Sequence, residues 1–264
     1  MLRINAKTAQ VESKGKVAIA AGPIAYDAKA PFCPDRAFPE YPFRNSNSLS
    51  DSNKVYETVR ESFRLLGLDT QHFGLREWNP LGEIIQPGET IVLKPNFVRD
   101  FRETQIGDGD CLITHGSVIR AVLDYVYIAV GYKGRIIIAD APQNDADFDA
   151  ISRIAALTEI RDFYRQQANF EILLYDLRPE KAIKVDGIIV GHKSLPGDPA
   201  GYVKVSHGYA SSFSEVNHLC HLLYGSEYDT HEIRSHHYGT VHEYLISKTI
   251  LAVSYTHLTL PTKA

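Results

Sequence analysis

Cysteine is scarce in this chain of 264 residues, and the three that are present, Cys33, Cys111 and Cys220, are an odd number with wide spacing. A disulfide framework needs paired cysteines, so this pattern predicts a reducing, cytoplasmic compartment. The three positions also cannot match the closely spaced run that holds a 4Fe–4S cluster. We therefore expect this chain to ligate no iron–sulfur cluster.

Long apolar runs and blocks of basic residues are missing as well. The longest apolar stretch, 118–130, is interrupted by Arg120 and Asp124, and the N-terminus lacks the apolar core of a signal peptide. We therefore expect no membrane-spanning segment. The 28 basic and 32 acidic residues give a net charge of −4 without a basic patch, which argues against a nucleic-acid partner.

Three widespread catalytic signatures are absent too: the glycine-rich dinucleotide fingerprint, the Walker loop and the serine elbow of hydrolases. What the chain has is the composition of a globular domain, with 44% hydrophobic and 23% charged residues. Its function must therefore be sought in the order of its elements and in the residues at their ends.

The apolar patterns indicate an α/β fold with a mostly parallel sheet and helices on both faces. Continuously apolar runs, typical of buried parallel strands, lie at 16–21, 90–93, 135–139 and 170–175. Helical spacing of apolar residues is found at 52–66, 114–130, 148–157 and 158–167. The alternation of the two patterns predicts βαβ units, in which the strands run parallel.

Two segments depart from this alternation. Residues 23–50 are rich in proline and aromatic side chains, which predicts an ordered loop packed on the body. Asp186-Gly187 between two apolar runs predicts a hairpin, and the run at 202–206 can add a third strand. We therefore expect a small antiparallel β-meander lobe at 181–206.

Polar side chains follow the two strands that the long central helix joins. Lys94 and Asn96 come after the first strand, and Asp140 and Gln143 come after the second. Because open parallel sheets bind ligands outside the carboxyl ends of their strands, we expect an anionic small molecule here. In an enzyme, Lys94 would clamp its charge, Asn96 and Gln143 would orient it, and Asp140 would act as acid or base. Two alternatives remain open. One is a divalent cation such as Mg²⁺ on Asp140 with Asp108, Asp110 or Asp145, and the other is a plain structural pair of Lys94 with Asp140.

Thr114, His115 and Ser117 open that central helix. The first N–H groups of the helix and the two hydroxyls would add donors for an anion, and His115 is a candidate general base. The connection at 97–113 is long enough to leave this helix start at either edge of the sheet, so its position stays open. Thr114 can also be a plain helix cap.

Histidine is concentrated in one region. Seven histidines fall between positions 207 and 242: His207, His218, His221, His231, His236, His237 and His242. His218 and His221 are three residues apart on a predicted helix, so they would share a face and could ligate a transition metal. The surrounding sequence has no zinc-binding spacing, and the alternative is a polar surface rich in histidine and tyrosine.

Three segments together resemble the family catalogued as domain of unknown function 362. They are IVLKPNFV at 91–98, THGSVIRAVLDYV at 114–126 and IIADAPQ at 137–143. The resemblance implies a soluble prokaryotic protein, and it implies a family rather than a reaction. Some members are fused to a ferredoxin-like iron–sulfur module, whose cysteines this chain lacks. Family members also often have proline where Gly116 stands.

The end of the chain departs from the family pattern. The letters VSYTHLTLPT at 253–262 are what a transposon-end adapter of sequencing libraries encodes in one reading frame. We therefore expect 253–264 to be a non-native tail. Residues 1–252 are expected to form a single α/β domain that is incomplete at its C-terminus.

Three hypotheses for function follow. The first is an enzyme or binding protein that holds an anionic small molecule, with or without a divalent cation, at the strand ends. The second is a redox accessory protein that docks a ferredoxin-like partner carrying an iron–sulfur cluster. The third is a structural interaction domain, in which the strand-end residues serve only as caps and ion pairs. The oligomeric state is left open.

Overall fold

The computed structural model of the chain describes residues 16–22, 26–44, 49–50, 52–100, 112–186, 188–208 and 242–253. Its central sheet has three parallel strands in the order β1 (Thr90–Leu93), β2 (Arg135–Asp140) and β3 (Ile172–Asp176). All three come from the continuously apolar runs, as expected for strands buried on both faces. The α/β fold predicted from the sequence is confirmed.

Four helices cover one face of this sheet. They are α1 (Val55–Leu65), α2 (Gly116–Val130), α3 (Phe148–Ile154) and α4 (Leu157–Ala168). The main core lies between these helices and strand residues such as Ile136 and Ile138. Leu123 and Val126 of α2 are fully buried in it. Because α2 is covered on several sides, its apolar residues extend over most of its surface.

The opposite face of the sheet holds a smaller core, because side chains alternate along a strand. Val92, Ile137 and Ala139 pack there with Leu177, Ile250 and Val253. Ile250 belongs to a short helix, α5 (Lys248–Ala252). Helices therefore lie on both faces of the sheet, as predicted.

A buried carboxylate fastens α5 in place. Asp198, only 5% exposed, accepts hydrogen bonds from the backbone N–H groups of Ala200 and Thr249, both at 2.8 Å. It also accepts hydrogen bonds from the hydroxyls of Ser247 and Thr249. The turn that contains Asp198 is thus tied to the helix that covers the second face of the sheet.

The antiparallel part of the chain differs in one respect from the predicted meander. The hairpin of β4 (Glu180–Val185) and β5 (Ile188–Ser194) forms as expected. The third strand, β6 (Tyr202–Ser206), pairs instead with β7 (Glu243–Ser247). The Tyr202 hydroxyl donates to the carbonyl of Leu177 at 2.8 Å, which fixes the start of β6 beside the end of β3.

The N-terminal segments give one correction and one confirmation. The run at 16–21 is not a buried strand, because Val17 and Ile19 are 87% and 84% exposed and no described strand pairs with it. The described part of the proline-rich loop packs on the body, with Tyr41 and Phe43 buried in the main core. Among the helices in the described ranges, not one combines the length and apolar character that crossing a bilayer requires.

Candidate functional site

The start of α2 lies at the carboxyl edge of the sheet, beside the end of β1. The Thr114 N–H donates to the Asn96 carbonyl at 3.0 Å, and the Asn96 N–H donates to the Thr114 hydroxyl at 3.0 Å. Phe97 and Ile113 form an isolated antiparallel bridge next to these bonds. The position that the sequence left open is therefore decided, and Thr114 holds the loop after β1.

Lys94 and Asp140 form an ion pair of 2.6 Å at this edge. The Asp140 side chain is 4% exposed and also accepts hydrogen bonds from the N–H groups of Phe97 and Ala141, both at 2.8 Å. Three donors thus surround one buried carboxylate. The Lys94 side chain is 46% exposed.

His115 caps α2, and its hydrogen bonds determine where its proton sits. The Ser117 N–H donates to His115 Nδ1 at 3.1 Å, and the Ser117 hydroxyl lies 2.8 Å from the same nitrogen. Because a backbone N–H can only donate, Nδ1 is an acceptor and the neutral ring carries its proton on Nε2. Ser117 is fully buried, so its contacts with His115 are structural and its hydroxyl does not reach solvent.

Asp145 lies near two cations. Its carboxylate pairs with Arg99 at 2.6 Å and with Lys184 at 2.8 Å. Burial raises its pKa, but the hydrogen bond from Lys184 and the charge of Arg99 outweigh that effect and leave the pKa below its ordinary value. Gln143 donates its backbone N–H to the Val98 carbonyl at 2.9 Å, and its side chain is exposed.

These partners bear on the predicted cation site. Within the described ranges, no three side chains of His, Cys, Asp or Glu lie close enough together to hold a metal ion. Asp140 and Asp145 have basic partners instead. The other predicted metal ligands lie outside the described residues: Asp108, Asp110, His218 and His221.

A cleft of about 780 Å³ opens at the carboxyl end of β3. Helix α3, the start of α4, the β4–β5 hairpin and the turn after β5 bound it. None of the described site residues predicted from the sequence lines this cleft. Its polar lining comes from residues that the sequence reasoning missed, among them Ser152, Thr158, Arg161, Arg178 and Lys193.

Arg178 connects the cleft with the predicted strand-end residues. It forms two hydrogen bonds with Asp176, at 2.9 and 2.7 Å, and its Nη1 donates to the carbonyls of Gln143 and Ala146 at 2.6 and 3.0 Å. The side chain is 7% exposed. The loops after β2 and β3 are therefore held together by one guanidinium.

The charges that line the cleft do not cancel. Its lining contains four basic and three acidic side chains, and two pairs, Arg178–Asp176 and Lys181–Asp147, neutralise each other. The other three charged side chains of the lining are Arg161, Lys193 and Asp149. Arg161 has a 3.4 Å contact with Asp162, which does not line the cleft. The cleft therefore carries a small net positive charge.

A signal for this site was present in the sequence. The rule that ligands bind after parallel strands pointed to Lys94 and Asp140, and it applies equally to Asp176 and Arg178 after the third strand. Lys193 and Arg161 carry no such signal, because they come from a distant hairpin and a helix.

The fold and the site together define an α/β protein with a polar cleft at the carboxyl edge of a parallel sheet. Comparison with protein-family models, with curated proteins and with solved structures found no match to the chain. The chemistry of the site is therefore the guide to function.

Proposed function

We propose that this protein binds an anionic small molecule in the cleft at the carboxyl end of β3. The observation that carries the proposal is the position and charge of the cleft. It lies where open parallel sheets bind ligands, and its lining contains four basic and three acidic side chains. A volume of about 780 Å³ is within the range of small-molecule sites.

The cleft is better suited to a ligand than the edge near β1. There the carboxylate of Asp140 is already surrounded by three donors, and Ser117 is buried. The Lys94 side chain is partly exposed, so it serves as the competing position in the test. An anion bound in the cleft depends on Lys193, whereas an anion bound at the edge near β1 depends on Lys94.

The test is calorimetric titration of the protein with citrate, inorganic phosphate and a nucleoside monophosphate. We expect at least one to bind, and Lys193→Glu to weaken its binding about tenfold or more, because it replaces an attractive charge by a repulsive one. Lys204→Glu is the matched control, since Lys204 is an exposed strand lysine outside the cleft. Binding that depends on Lys94 but not on Lys193, or no binding at all, would overturn the proposal.

We also propose that the chain belongs to the family called domain of unknown function 362. The support is that the three segments that carry the resemblance meet at one edge of the sheet, through the Thr114–Asn96 hydrogen bonds and the Lys94–Asp140 pair. Sequencing the native gene past codon 252 tests this. A native continuation that contains the Lys-rich segment expected from the family supports membership, and a continuation without it counts against membership. A native read that encodes 253–264 would overturn the interpretation of those residues as a non-native tail.

A further inference from the structure

Helix α4 begins without a capping side chain, and its first turn borders the cleft. Ala156 occupies the N-cap position in a left-handed conformation, with φ 51°, and no side chain accepts a hydrogen bond there. The first N–H groups of an α-helix have no partner within the helix. Thr158 and Arg161, which lie three residues apart and share one face of α4, both line the cleft.

A second group points to the same place. Ser152 of α3 is 8% exposed, and it lines the cleft. Among the described residues its hydroxyl has no hydrogen-bond partner, in contrast to the buried hydroxyls of Ser117 and Thr249. Because Ser152 borders the cleft, this hydroxyl remains able to donate a hydrogen bond to a ligand there.

We infer that the start of α4 and Ser152 form a phosphoryl-binding subsite of the cleft. The inference rests on the proposed function and specifies the group by which the ligand is held. The N–H groups and positive dipole end of α4, the hydroxyls of Ser152 and Thr158, and the guanidinium of Arg161 provide donors from two helices.

Phosphate fits this donor set better than a carboxylate does. A phosphoryl group presents three charged oxygens in a tetrahedral arrangement, whereas a carboxylate presents two in a plane. Donors on the separate helices α3 and α4 can each bond a different phosphate oxygen. The ligand class is therefore a phosphorylated small molecule, with its phosphate at α4.

The test measures the dissociation constants of inorganic phosphate and of citrate, which has no phosphate, by calorimetric titration. Arg161→Ala and Ser152→Ala should each weaken phosphate binding about tenfold, since each removes a hydrogen bond to a charged group, and should change citrate binding less than about threefold. Arg165→Ala is the matched control, because Arg165 also lies on α4 and pairs with Asp162 but does not line the cleft. Thr158→Ala, at an exposed position, gives a third variant that does not disturb the core.

Phosphate binding that is unchanged in Arg161→Ala, Ser152→Ala and Thr158→Ala would overturn the subsite. If citrate binding still depended on Lys193 in that case, the proposed function would stand without the subsite. An equal loss of phosphate and citrate binding in Arg161→Ala would also overturn the phosphoryl assignment, because the guanidinium would then act as a general charge.

Discussion

The guanidinium of Arg178 joins the end of β3 to the loop after β2: it holds the carboxylate of Asp176 at 2.9 and 2.7 Å. The same side chain donates to the carbonyls of Gln143 and Ala146. The planar guanidinium has five N–H donors and can therefore bond a carboxylate and two carbonyls at once. The single ammonium of lysine could not make the same set of hydrogen bonds. The wall of the cleft therefore depends on one side chain.

Replacement of Arg178 by methionine should destabilise the protein by about 3 kcal/mol, because it leaves the Asp176 carboxylate and two backbone carbonyls without their donor. Urea denaturation gives the free energy of unfolding. Arg165→Met is the control, and its exposed pair with Asp162 should contribute less than about 0.5 kcal/mol. Equal effects of the two substitutions would show that the Arg178 contacts do not stabilise the fold.

A second arginine is fully buried. Arg120 pairs with Asp124 at 2.8 Å inside α2 and donates to the Pro31 carbonyl at 2.9 Å. Arg120→Met should cost about 3 to 5 kcal/mol, because it leaves a buried carboxylate without its cation. The double variant Arg120→Met/Asp124→Leu should be more stable than the sum of the two single effects predicts. A double-mutant cycle in urea measures the difference, and strict additivity would refute the coupling.

The stabilisation from Asp198 should depend on pH. Burial raises its pKa, but hydrogen bonds from Ser247, Thr249 and Ala200 outweigh burial, so the folded-state pKa lies below the ordinary value. A lowered pKa means that the stabilisation is full above the unfolded value of about 3.9 and is lost as the pH falls through the folded-state pKa. Asp198→Asn should therefore cost about 2 kcal/mol at neutral pH and progressively less below about pH 4. Denaturation curves across this range measure the difference, and a constant cost would contradict the assignment.

Cys33 should be unreactive in the folded protein. It is 4% exposed, and burial raises the pKa of its thiol despite the nearby charge of Arg120. Alkylation by iodoacetamide, followed by mass spectrometry of the Cys33 peptide, should be about a hundredfold slower in native buffer than in denaturant. Rapid labelling of the native protein would show that the loop around Cys33 opens.

Gly116 leaves no room for a side chain where α2 of this chain meets the segment before α4. A Cβ atom there would lie 2.2 Å from the carbonyl oxygen of Ala155 and 2.4 Å from the ring of Phe32. Gly116→Ala should therefore destabilise the protein by about 1 to 3 kcal/mol through overpacking. Gly191→Ala is the control, since a Cβ there meets no atom within 4 Å. A thermal melt distinguishes the two, and equal melting temperatures would contradict the close approach.

The central strands could be predicted from the sequence because each is a local apolar run flanked by turn residues. The run at 16–21 has the same local appearance, yet Val17 and Ile19 are exposed. A strand forms only where a neighbouring strand pairs with it, and the local sequence does not show whether such a neighbour exists. The same reason explains β6, whose apolar run was recognised but whose partner, β7, is distant in the sequence.

The site divides in the same way. Lys94 and Asn96 follow β1 and Asp140 ends β2, so their shared edge could be predicted. The Thr114–Asn96 hydrogen bonds add the start of α2 to that edge. The cleft draws Ser152, Arg161 and Lys193 from three elements that only the tertiary fold brings together. Its position could be inferred from the strand-end rule, but its donors could not.

The turn that contains Asp198 connects the cleft at the edge of the sheet with the helix on its far face. Its neighbours Gly197 and Pro199 form part of the cleft wall, while its carboxylate holds the N–H of Thr249 at 2.8 Å on the helix covering the far face. A ligand that orders the cleft wall should therefore also stabilise that helix. By thermodynamic linkage, stabilising the helix should strengthen ligand binding to the same extent. A ligand in the cleft should slow hydrogen exchange at the Thr249 amide, which a ligand confined to the Lys94 end of the edge would leave unchanged.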